Sequence, residues 1–540
     1  MALRILTRRS WLGLTGAAAV ALLAAPGVHA AETPKHGGTL IITTTPEPSL
    51  ITNALSSAPT TAEVATKIFD GLLEYDMDLE PVPSLATGWE VSDDGKAVTF
   101  HLREGVRWHD GKPFTSADVQ FSLLQVVKEY HPRGPGNLGP IAAIDTPDEH
   151  TVVVRLVHPY PPMMKGLSSL EAPIVPRHIY EGTDYRNNPA VNEPVGTGPF
   201  RFVSWEKGNY IELARNEDYW REGRPYLDRL IFRFIADSAT RAAAIESGEV
   251  HVATFGTINP VEMRRLEGLD HVEIAAGGYE ALAPVMLLEL NNKQPPLDDK
   301  RVRQAIAYAL DRDFIVDNIW YGFGKPAVGP ISSVHEGAGL YTEEGIRRYD
   351  VEDRIERANA LLDEAGHPRG SDGMRFTIVH DPAPFGEDWR RMGEYIKQAL
   401  KRVGIGVEIR NRDYPTYVRQ VHNEYDFNMT SSWYVGMADP TLGVQRQYWS
   451  KNINADVAFN NTARYSNPEA DRLWEAAQVE MDPAKRATLF HDLQRILTED
   501  SPNIWLMEMG LVAVQNSKVE DLITSPLGVR GGLYDTWLDQ

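Results

Sequence analysis

Alternation of apolar and polar residues predicts several short β-strands in the first half of the chain. Residues 98–102 (Val-Thr-Phe-His-Leu) alternate as a half-buried strand does, and a turn-forming Asp-Asp-Gly segment precedes them. Residues 151–156 and 228–236 are rich in Val, Ile and Phe and indicate two further strands. A β-rich run at 37–45, ended by two nearby prolines, predicts the first strand of the chain.

A helical spacing of apolar residues appears mostly in the second half. Because strands and helices are mixed throughout, the pattern predicts an α/β protein with more than one core. Residues 75–194 are rich in strands and proline, whereas 297–500 alternate helices with short strands. We find no repeat of fixed period and no low-complexity linker, so short hinges should join the domains. The predicted helices are 116–129, 239–247, 301–310, 355–365, 389–403, 468–480 and 483–499.

The first thirty residues have the pattern of a secretory signal peptide. Three arginines and no acidic residue are followed by an apolar stretch at 12–25 and by Val-His-Ala at 28–30. That stretch is shorter than the roughly 20 residues that a membrane-spanning helix needs. Residues 7–12 (Thr-Arg-Arg-Ser-Trp-Leu) resemble the twin-arginine export motif. We therefore expect an exported, soluble protein of the periplasm without a lipid anchor.

The composition excludes several classes of function. The 540 residues include 54 Lys and Arg against 75 Asp and Glu, and the resulting net charge of −21 disfavours a nucleic-acid partner. The absence of cysteine excludes thiol catalysis, zinc–thiolate sites and iron–sulfur clusters. With 42% apolar residues, the chain has ample material for large cores.

Motifs of catalysis and of cofactor binding are missing from the sequence. There is no Gly-x-Ser-x-Gly elbow, no His-Glu-x-x-His pair and no phosphate-binding Gly-x4-Gly-Lys loop. Residues 134–139 match Gly-x-Gly-x-x-Gly, but they follow a helical segment and contain proline, so we read them as an irregular loop. The histidines are scattered, which predicts no metal site. We expect no cofactor and no enzymatic activity, and the alternative is a secreted hydrolase with dispersed catalytic residues.

Long stretches of the chain resemble the extracytoplasmic solute-binding proteins of peptide/nickel-type ABC importers, bacterial solute-binding protein family 5. The resemblance begins near residue 37 and continues to the C-terminus. Its most recognisable block joins Pro-Val-Pro-Ser-Leu-Ala-Thr-Gly-Trp at 81–89 to residues 92–122. Later blocks are Val-Gly-Thr-Gly-Pro-Phe at 195–200, residues 301–312, and Tyr-Ser-Asn-Pro-Glu-Ala-Asp-Arg-Leu-Trp at 465–474.

The resemblance implies a two-lobed periplasmic-binding-protein fold of the large type, with an additional subdomain inserted in the first lobe. It also implies a monomer that closes over a small polar solute, such as a peptide, and delivers it to a membrane ABC permease. The expected boundaries are 31–74, 193–285 and 506–540 for the first lobe, 75–192 for the subdomain, and 286–505 for the second lobe.

The resemblance also suggests where the solute binds. In peptide-binding relatives an aspartate of the second lobe, just after an aromatic-bearing strand, pairs with the amino terminus of the ligand. Asp439 is the corresponding candidate here, with a turn-initiating Asp-Pro as the alternative reading. Trp433 and Tyr434 would form flat walls, and their alternation on a strand predicts that only one of them faces the cleft. Arg446 is a candidate clamp for a carboxylate, or else forms a surface salt bridge.

The loop after the first strand supplies the remaining candidate contacts. The sequence does not decide the identity of the solute. Thr45, Glu47 and Ser49 are candidate contacts from the first lobe, although Glu47 or Ser49 could instead cap a helix. A peptide, an opine-like conjugate and an oligosaccharide all fit. A metal complex is less favoured, because His422 is the only histidine near the candidate site. A docking or chaperone-like protein that binds unfolded segments is a third class.

Overall fold

The computed structural model describes residues 33–539, so the predicted signal peptide lies outside the described residues. Within this range no helix is both long enough and apolar enough to cross a membrane. The described chain contains two large mixed sheets and one smaller antiparallel sheet. Two short strand pairs, Leu73–Tyr75 with Pro81–Pro83 and Val519–Glu520 with Trp537–Leu538, complete the strand pairings.

A seven-stranded sheet is built around the first strand, Thr39–Thr44. This strand is parallel to Arg229–Phe234 on one side and to Val252–Ala253 on the other. Its apolar residues Leu40 and Ile42 are fully buried, as the alternating pattern predicts. The strand order is Val272–Ala276, Val512–Asn516, Val252–Ala253, Thr39–Thr44, Arg229–Phe234, Tyr210–Arg215 and Phe200–Glu206.

A six-stranded sheet forms the centre of the second half. Its strand Pro284–Leu290 is buried along its whole length, because an antiparallel neighbour lies on each side and separate apolar clusters cover the two faces. Such a strand is a continuous apolar run rather than an alternating one. The strand order is Gly324–Pro326, Asn503–Met509, Pro284–Leu290, Met429–Val435, Phe376–His380 and Ile405–Ile409.

A four-stranded antiparallel sheet lies between residues 86 and 156. Its inward side chains, such as Phe100 and Val154, belong to the same apolar cluster as Phe232 of the seven-stranded sheet. The smaller sheet therefore shares a core with the seven-stranded sheet instead of forming an independent one. Its strand order is Ala86–Val91, Ala97–Leu102, Thr151–Leu156 and Ile141–Asp148.

All seven predicted helices are confirmed to within two residues at each end. The first of them is a continuous helical segment whose middle part, Ser122–Val127, is a π-helix. The predicted loop at 134–139 differs, because its first part forms one helical turn. The α-helices are Pro59–Ala65, Ser116–Phe121, Lys128–Tyr130, Gly134–Asn137, Arg177–Tyr180, Ser238–Glu246, Pro260–Leu266, Lys300–Ala309, Arg312–Phe314, Arg354–Glu364, Glu387–Lys401, Tyr414–Tyr417, Pro440–Gly443, Gln445–Tyr448, Pro468–Val479 and Pro483–Asp500.

The remaining helical segments are short. Two further π-helices and six 3₁₀-helices connect the longer elements of the described residues. They are Pro161–Gly166, Pro189–Val191, Glu280–Leu282, Ile315–Ile319, Ser333–His335, Val418–Asn423, Ser450–Asn452 and Gly528–Arg530.

The chain passes between the two large sheets twice. It leaves the seven-stranded sheet after Val272–Ala276 and enters the six-stranded sheet at Pro284–Leu290. It returns between Asn503–Met509 and Val512–Asn516. This is the two-lobed periplasmic-binding-protein fold. The expected domain boundaries remain predictions, and those at 285/286 and 505/506 fall within the two strands of the six-stranded sheet at these crossings.

Candidate functional site

The candidate site is built at the end of the strand Met429–Val435, where the chain turns sharply into a short helix. A Cβ atom added to Gly443 would lie 2.4 Å from backbone atoms of Gly436, so the turn requires glycine where the two segments meet. Asp439 precedes the helix Pro440–Gly443 and caps it, because its carboxylate accepts a 2.9 Å hydrogen bond from the Thr441 amide. This turn brings residues after the strand to the region between the two large sheets.

A cavity of 260 Å³ lies in this region. Four parts of the chain contribute residues to it. They are the segment at the start of the helix Pro59–Ala65, the segment of the four-stranded sheet, the lobe of the six-stranded sheet and the C-terminal segment. Three of the predicted site residues are therefore brought together, and four are not. The cavity is lined by Ser56, Ser57, Pro59, Ala62, Arg133, Leu170, Leu282, Phe385, Trp433, Tyr434, Val435, Met437, Arg446, Phe459 and Arg530.

Trp433 and Tyr434 both contribute to the cavity wall, although strand alternation predicts that only one would face it. Both reach it because the cavity lies beside the end of the strand, where the chain bends. Trp433 packs edge-on against Phe255 of the other lobe, with ring centroids 5.9 Å apart. The Tyr434 hydroxyl donates a 2.9 Å hydrogen bond to Glu289. Burial raises the pKa of Glu289 to about 8, so this carboxyl is mostly neutral at pH 7.

Arg446 lines the cavity from the helix Gln445–Tyr448 and is partly buried. It is not the surface salt bridge that was the alternative reading. Its guanidinium donates a 2.5 Å hydrogen bond to the Phe459 carbonyl and pairs with no carboxylate among the described residues. Burial lowers the pKa of Arg446, yet a guanidinium remains charged at any physiological pH. The side chain therefore has donors left for a solute.

Asp439 does not line the cavity. Its two carboxylate oxygens accept hydrogen bonds of 2.7 and 2.8 Å from the guanidinium of Arg486, which belongs to the helix Pro483–Asp500. Burial alone would raise the pKa of Asp439, but the charge and hydrogen bonds of Arg486 outweigh it and hold this pKa below its usual range. The carboxylate is thus already paired within its own lobe, and its role as an anchor for an amino terminus stays a prediction.

The three candidates from the loop after the first strand also lie outside the cavity lining. The Glu47 carboxylate accepts a 2.8 Å hydrogen bond from the Trp205 indole and further bonds from the Gly208 amide. It therefore ties the loop to the edge of its own sheet, and it caps no helix. Thr45 is partly buried and Ser49 is exposed. Their roles as ligand contacts stay predictions.

Two cationic residues of the cavity were missed by the sequence analysis. Arg133 is in the four-stranded-sheet segment and Arg530 is in the short helix Gly528–Arg530, ten residues before the end of the chain. Each is distant in sequence from the strand that carries Trp433, and no local motif surrounds either one. Only tertiary contacts bring them to the site, so no sequence signal could have identified them.

No group of three or more His, Asp or Glu residues that could hold a metal ion occurs in the described part of the chain. The cavity lining offers serine hydroxyls, aromatic rings and guanidinium groups. These groups can bind and orient a polar solute. Two lobes that meet at a small cavity with aromatic walls and charged groups define a solute-binding protein of the periplasmic type.

Comparison with known proteins identifies the particular family. The family model of the bacterial extracellular solute-binding proteins, family 5, matches residues 80–456, and the chain belongs to this family. A glutathione-binding protein, GsiB, of Pectobacterium atrosepticum is 28% identical over 86% of this chain and 87% of its own length.

Two solved structures extend the similarity to the whole described fold. The periplasmic binding protein DppA of Helicobacter pylori, in complex with the peptide STSA, is 25% identical. It has a TM-score of 0.78 and covers 94% of this chain and 99% of its own. The binding protein AgaA of A. tumefaciens R10, in complex with agropinic acid, is 27% identical, with a TM-score of 0.76 and coverage of 93% and 99%.

Proposed function

We propose that this protein is the solute-binding component of an ABC importer and captures a peptide or a related small polar solute between its lobes. The observation that carries the proposal is the cavity at the lobe junction, with aromatic walls and with two guanidinium groups, of Arg446 and Arg530, that form no ion pair with any described carboxylate. Membership of family 5 supports it, as do relatives named for binding peptides or glutathione. The solute would be released unchanged to a membrane permease, so the protein would carry out no covalent chemistry.

Trp433, Tyr434 and Arg446 are the predicted residues that would contact the solute. The two aromatic side chains supply flat apolar surface, and Arg446 supplies charge-assisted hydrogen bonds to a carboxylate. Lobe closure is favoured by contacts that only the closed form can make, so a solute that touches both lobes shifts the protein towards that form.

Export belongs to the same proposal. The family is extracytoplasmic, and a signal peptide at 1–30 with its Arg8-Arg9 pair would direct the chain to the periplasm, preferably by the twin-arginine route. There the protein would act as a monomer that docks on its permease only to deliver the solute.

An opine-like conjugate is the second candidate for the solute. The observation that favours it is the similar structure with agropinic acid, which is slightly more identical to this chain than the peptide complex is. The site offers carboxylate-binding groups in either case. The two candidates therefore differ in the chemistry of the solute and not in the mechanism of capture.

Native mass spectrometry of the purified, exported protein tests the proposed function. We expect one small molecule to be retained at one copy per chain under gentle conditions and to appear unmodified after release. Isothermal titration with the released molecule should then give a stoichiometry of one. Turnover of peptides or glycosides by the purified protein would contradict the proposal and favour the hydrolase.

A further inference from the structure

The cavity contains an excess of positive charge inside an acidic protein. Among the described residues its lining includes three arginines and no aspartate or glutamate. The chain as a whole has a net charge of −21, so the charge of the cavity is opposite to that of the molecule. The solutes that the cavity can bind depend on how much of the charge of each arginine is already paired with an acidic residue of the protein.

Arg133 is neutralised by the protein itself. Its guanidinium makes a two-point ion pair with Glu171, in which Nε lies 2.7 Å from one carboxylate oxygen and Nη2 contacts the other. The Asn137 side chain donates a further 3.0 Å hydrogen bond to the same carboxylate. This pair fixes the wall of the cavity and leaves no net charge there.

Arg446 retains its charge. Its one hydrogen bond among the described residues goes to the Phe459 carbonyl, which carries no formal charge. The acid whose charge acts on Arg446 is Glu171, and this carboxylate is already held in the two-point ion pair with Arg133. The guanidinium of Arg446 therefore faces the cavity without a counter-ion.

Arg530 is the second arginine of the lining whose charge is not neutralised by a direct ion pair. The residue is 6% exposed, its Nε atom is buried without a hydrogen-bond partner, and it forms no ion pair with any described residue. Two buried charged residues interact electrostatically with Arg530: Glu63, which accepts a hydrogen bond from the Thr44 hydroxyl, and Lys67, which donates to the Val529 carbonyl. Burial lowers the pKa of Lys67 to about 7, so this lysine is partly charged at pH 7, and Glu63 is the single acid shared between Lys67 and Arg530. The charge of Arg530 is therefore balanced only in part.

A buried guanidinium without a partner is costly, and an anion that pairs with it removes that cost. Arg446 follows a strand of the six-stranded sheet, whereas the helix of Arg530 packs against Pro59–Ala65, which follows the first strand of the seven-stranded sheet. An anion that meets both arginines therefore bridges the two lobes and binds fully only when they are closed.

The lining offers much less to a free amino group. No carboxylate among the described lining residues can pair with an ammonium, so a zwitterionic solute would bury its positive end without a counter-ion.

We infer that this cavity selects a small acidic solute, with more carboxylates than amino groups, whose negative charge is held between Arg446 and Arg530. The inference rests on the proposed function and narrows the class of solute. It distinguishes a peptide-like or opine-like acid from an ordinary zwitterionic peptide, and it assigns Arg530 a role in binding.

Three matched solute libraries test this inference on the wild-type protein. They are N-succinyl amino acids, which are dianions, dipeptides, which are zwitterions, and amino-acid amides, which are cations. Thermal-shift screening followed by titration calorimetry should give the tightest binding with dianions. The best dianion should lose affinity by about 30-fold or more in R446Q and in R530Q, as expected when one partner of a buried ion pair is removed. R472Q, at an exposed arginine paired with Glu469, is the matched control and should bind as the wild type does.

The outcomes separate the two proposals. Dipeptides that bind as tightly as the dianions would overturn the acidic-solute inference and leave the proposed function standing. Binding of no solute from any library, with none retained by the purified protein, would overturn the proposed function itself. The comparison of libraries uses only the wild type, so it decides the inference even if R530Q fails to fold.

Discussion

At the scale of the residue, the clearest feature is the buried ion pair between Asp439 and Arg486. Both side chains are almost inaccessible to solvent, and the carboxylate also accepts hydrogen bonds from the amide and hydroxyl of Thr441. Two charges removed from water are tolerated only when each satisfies the other. The pair therefore positions the turn behind the cavity wall, and removal of one partner should act mainly on stability.

D439N should destabilise the protein by about 3 kcal/mol, because Arg486 would remain buried without a charged partner. Denaturant unfolding measures this loss, and D492N, which breaks an exposed pair with Arg495, should cost less than about 1 kcal/mol. The folded D439N variant should bind the solute with nearly the same affinity as the wild type. A large loss of affinity for a peptide with a free amino terminus would instead support Asp439 as the anchor.

The same pair predicts a dependence of stability on pH. The folded-state pKa of Asp439 is lowered, so its contribution is complete above the unfolded value of about 3.9 and is lost as the pH falls towards the folded value. The difference in unfolding free energy between the wild type and D439N should therefore be full at pH 7 and should narrow below about pH 4. Unfolding curves at several pH values measure this difference. A difference that stays constant down to pH 3 would contradict the lowered pKa of Asp439.

At the scale of the element, one turn joins the four-stranded-sheet segment to the seven-stranded sheet. The Gly198 amide donates a 2.9 Å hydrogen bond to the Ile68 carbonyl, and the Phe200 amide donates one of the same length to the Lys67 carbonyl. A Cβ atom on Gly196 would lie 1.8 Å from the Ile68 oxygen, so the backbones touch where only glycine fits. The turn thus fixes the strand Phe200–Glu206 against the segment that follows Pro59–Ala65.

G196A should lower the unfolding free energy by about 1–3 kcal/mol, because the added methyl forces two backbone segments apart. G337A is a matched control, since a Cβ atom at this exposed position meets nothing within 4 Å. Thermal unfolding followed by circular dichroism should show a clear decrease for the first variant and none for the second. Equal melting temperatures for both variants would contradict the close approach.

At the scale of the whole molecule, the two lobes meet through aromatic side chains beside the cavity. Phe255 follows the strand Val252–Ala253 of one sheet and packs against Trp433 of the other. We expect this contact between the lobes to be lost when they open, so it should contribute to affinity without touching the solute.

F255A should weaken solute binding by about two- to twelve-fold, the range expected for loss of one aromatic pair, mainly through faster dissociation. Stopped-flow kinetics with the solute retained by the purified protein measures this. F314A removes an aromatic stack with Tyr395 that lies within one lobe, and its binding should match the wild type. Equal dissociation rates for F255A and the wild type would show that the contact between Phe255 and Trp433 does not stabilise the closed form.

The local pattern of the sequence predicted most of the secondary structure. Helices such as Glu387–Lys401 and Pro468–Val479 carry a strong apolar stripe, and strands such as Thr151–Leu156 alternate, so their type and approximate ends follow from neighbouring residues alone. The family resemblance added the two-lobed fold. Trp433, Tyr434 and Arg446 lie on one continuous stretch, and the structure places all three in the cavity lining; their contact with a solute stays a prediction.

Tertiary structure decided which side chains are free to bind. The carboxylates of Asp439 and Glu47 could bind a positively charged group of a solute. Each already accepts a hydrogen bond from a residue distant in sequence, Asp439 from Arg486 and Glu47 from Trp205. Arg530 has no motif, yet folding places it in the cavity with no direct ion pair to a described residue. Local periodicity determines elements because near neighbours set backbone conformation and the buried face. The availability of a charge depends on partners tens to hundreds of residues away, and only the folded chain brings these together.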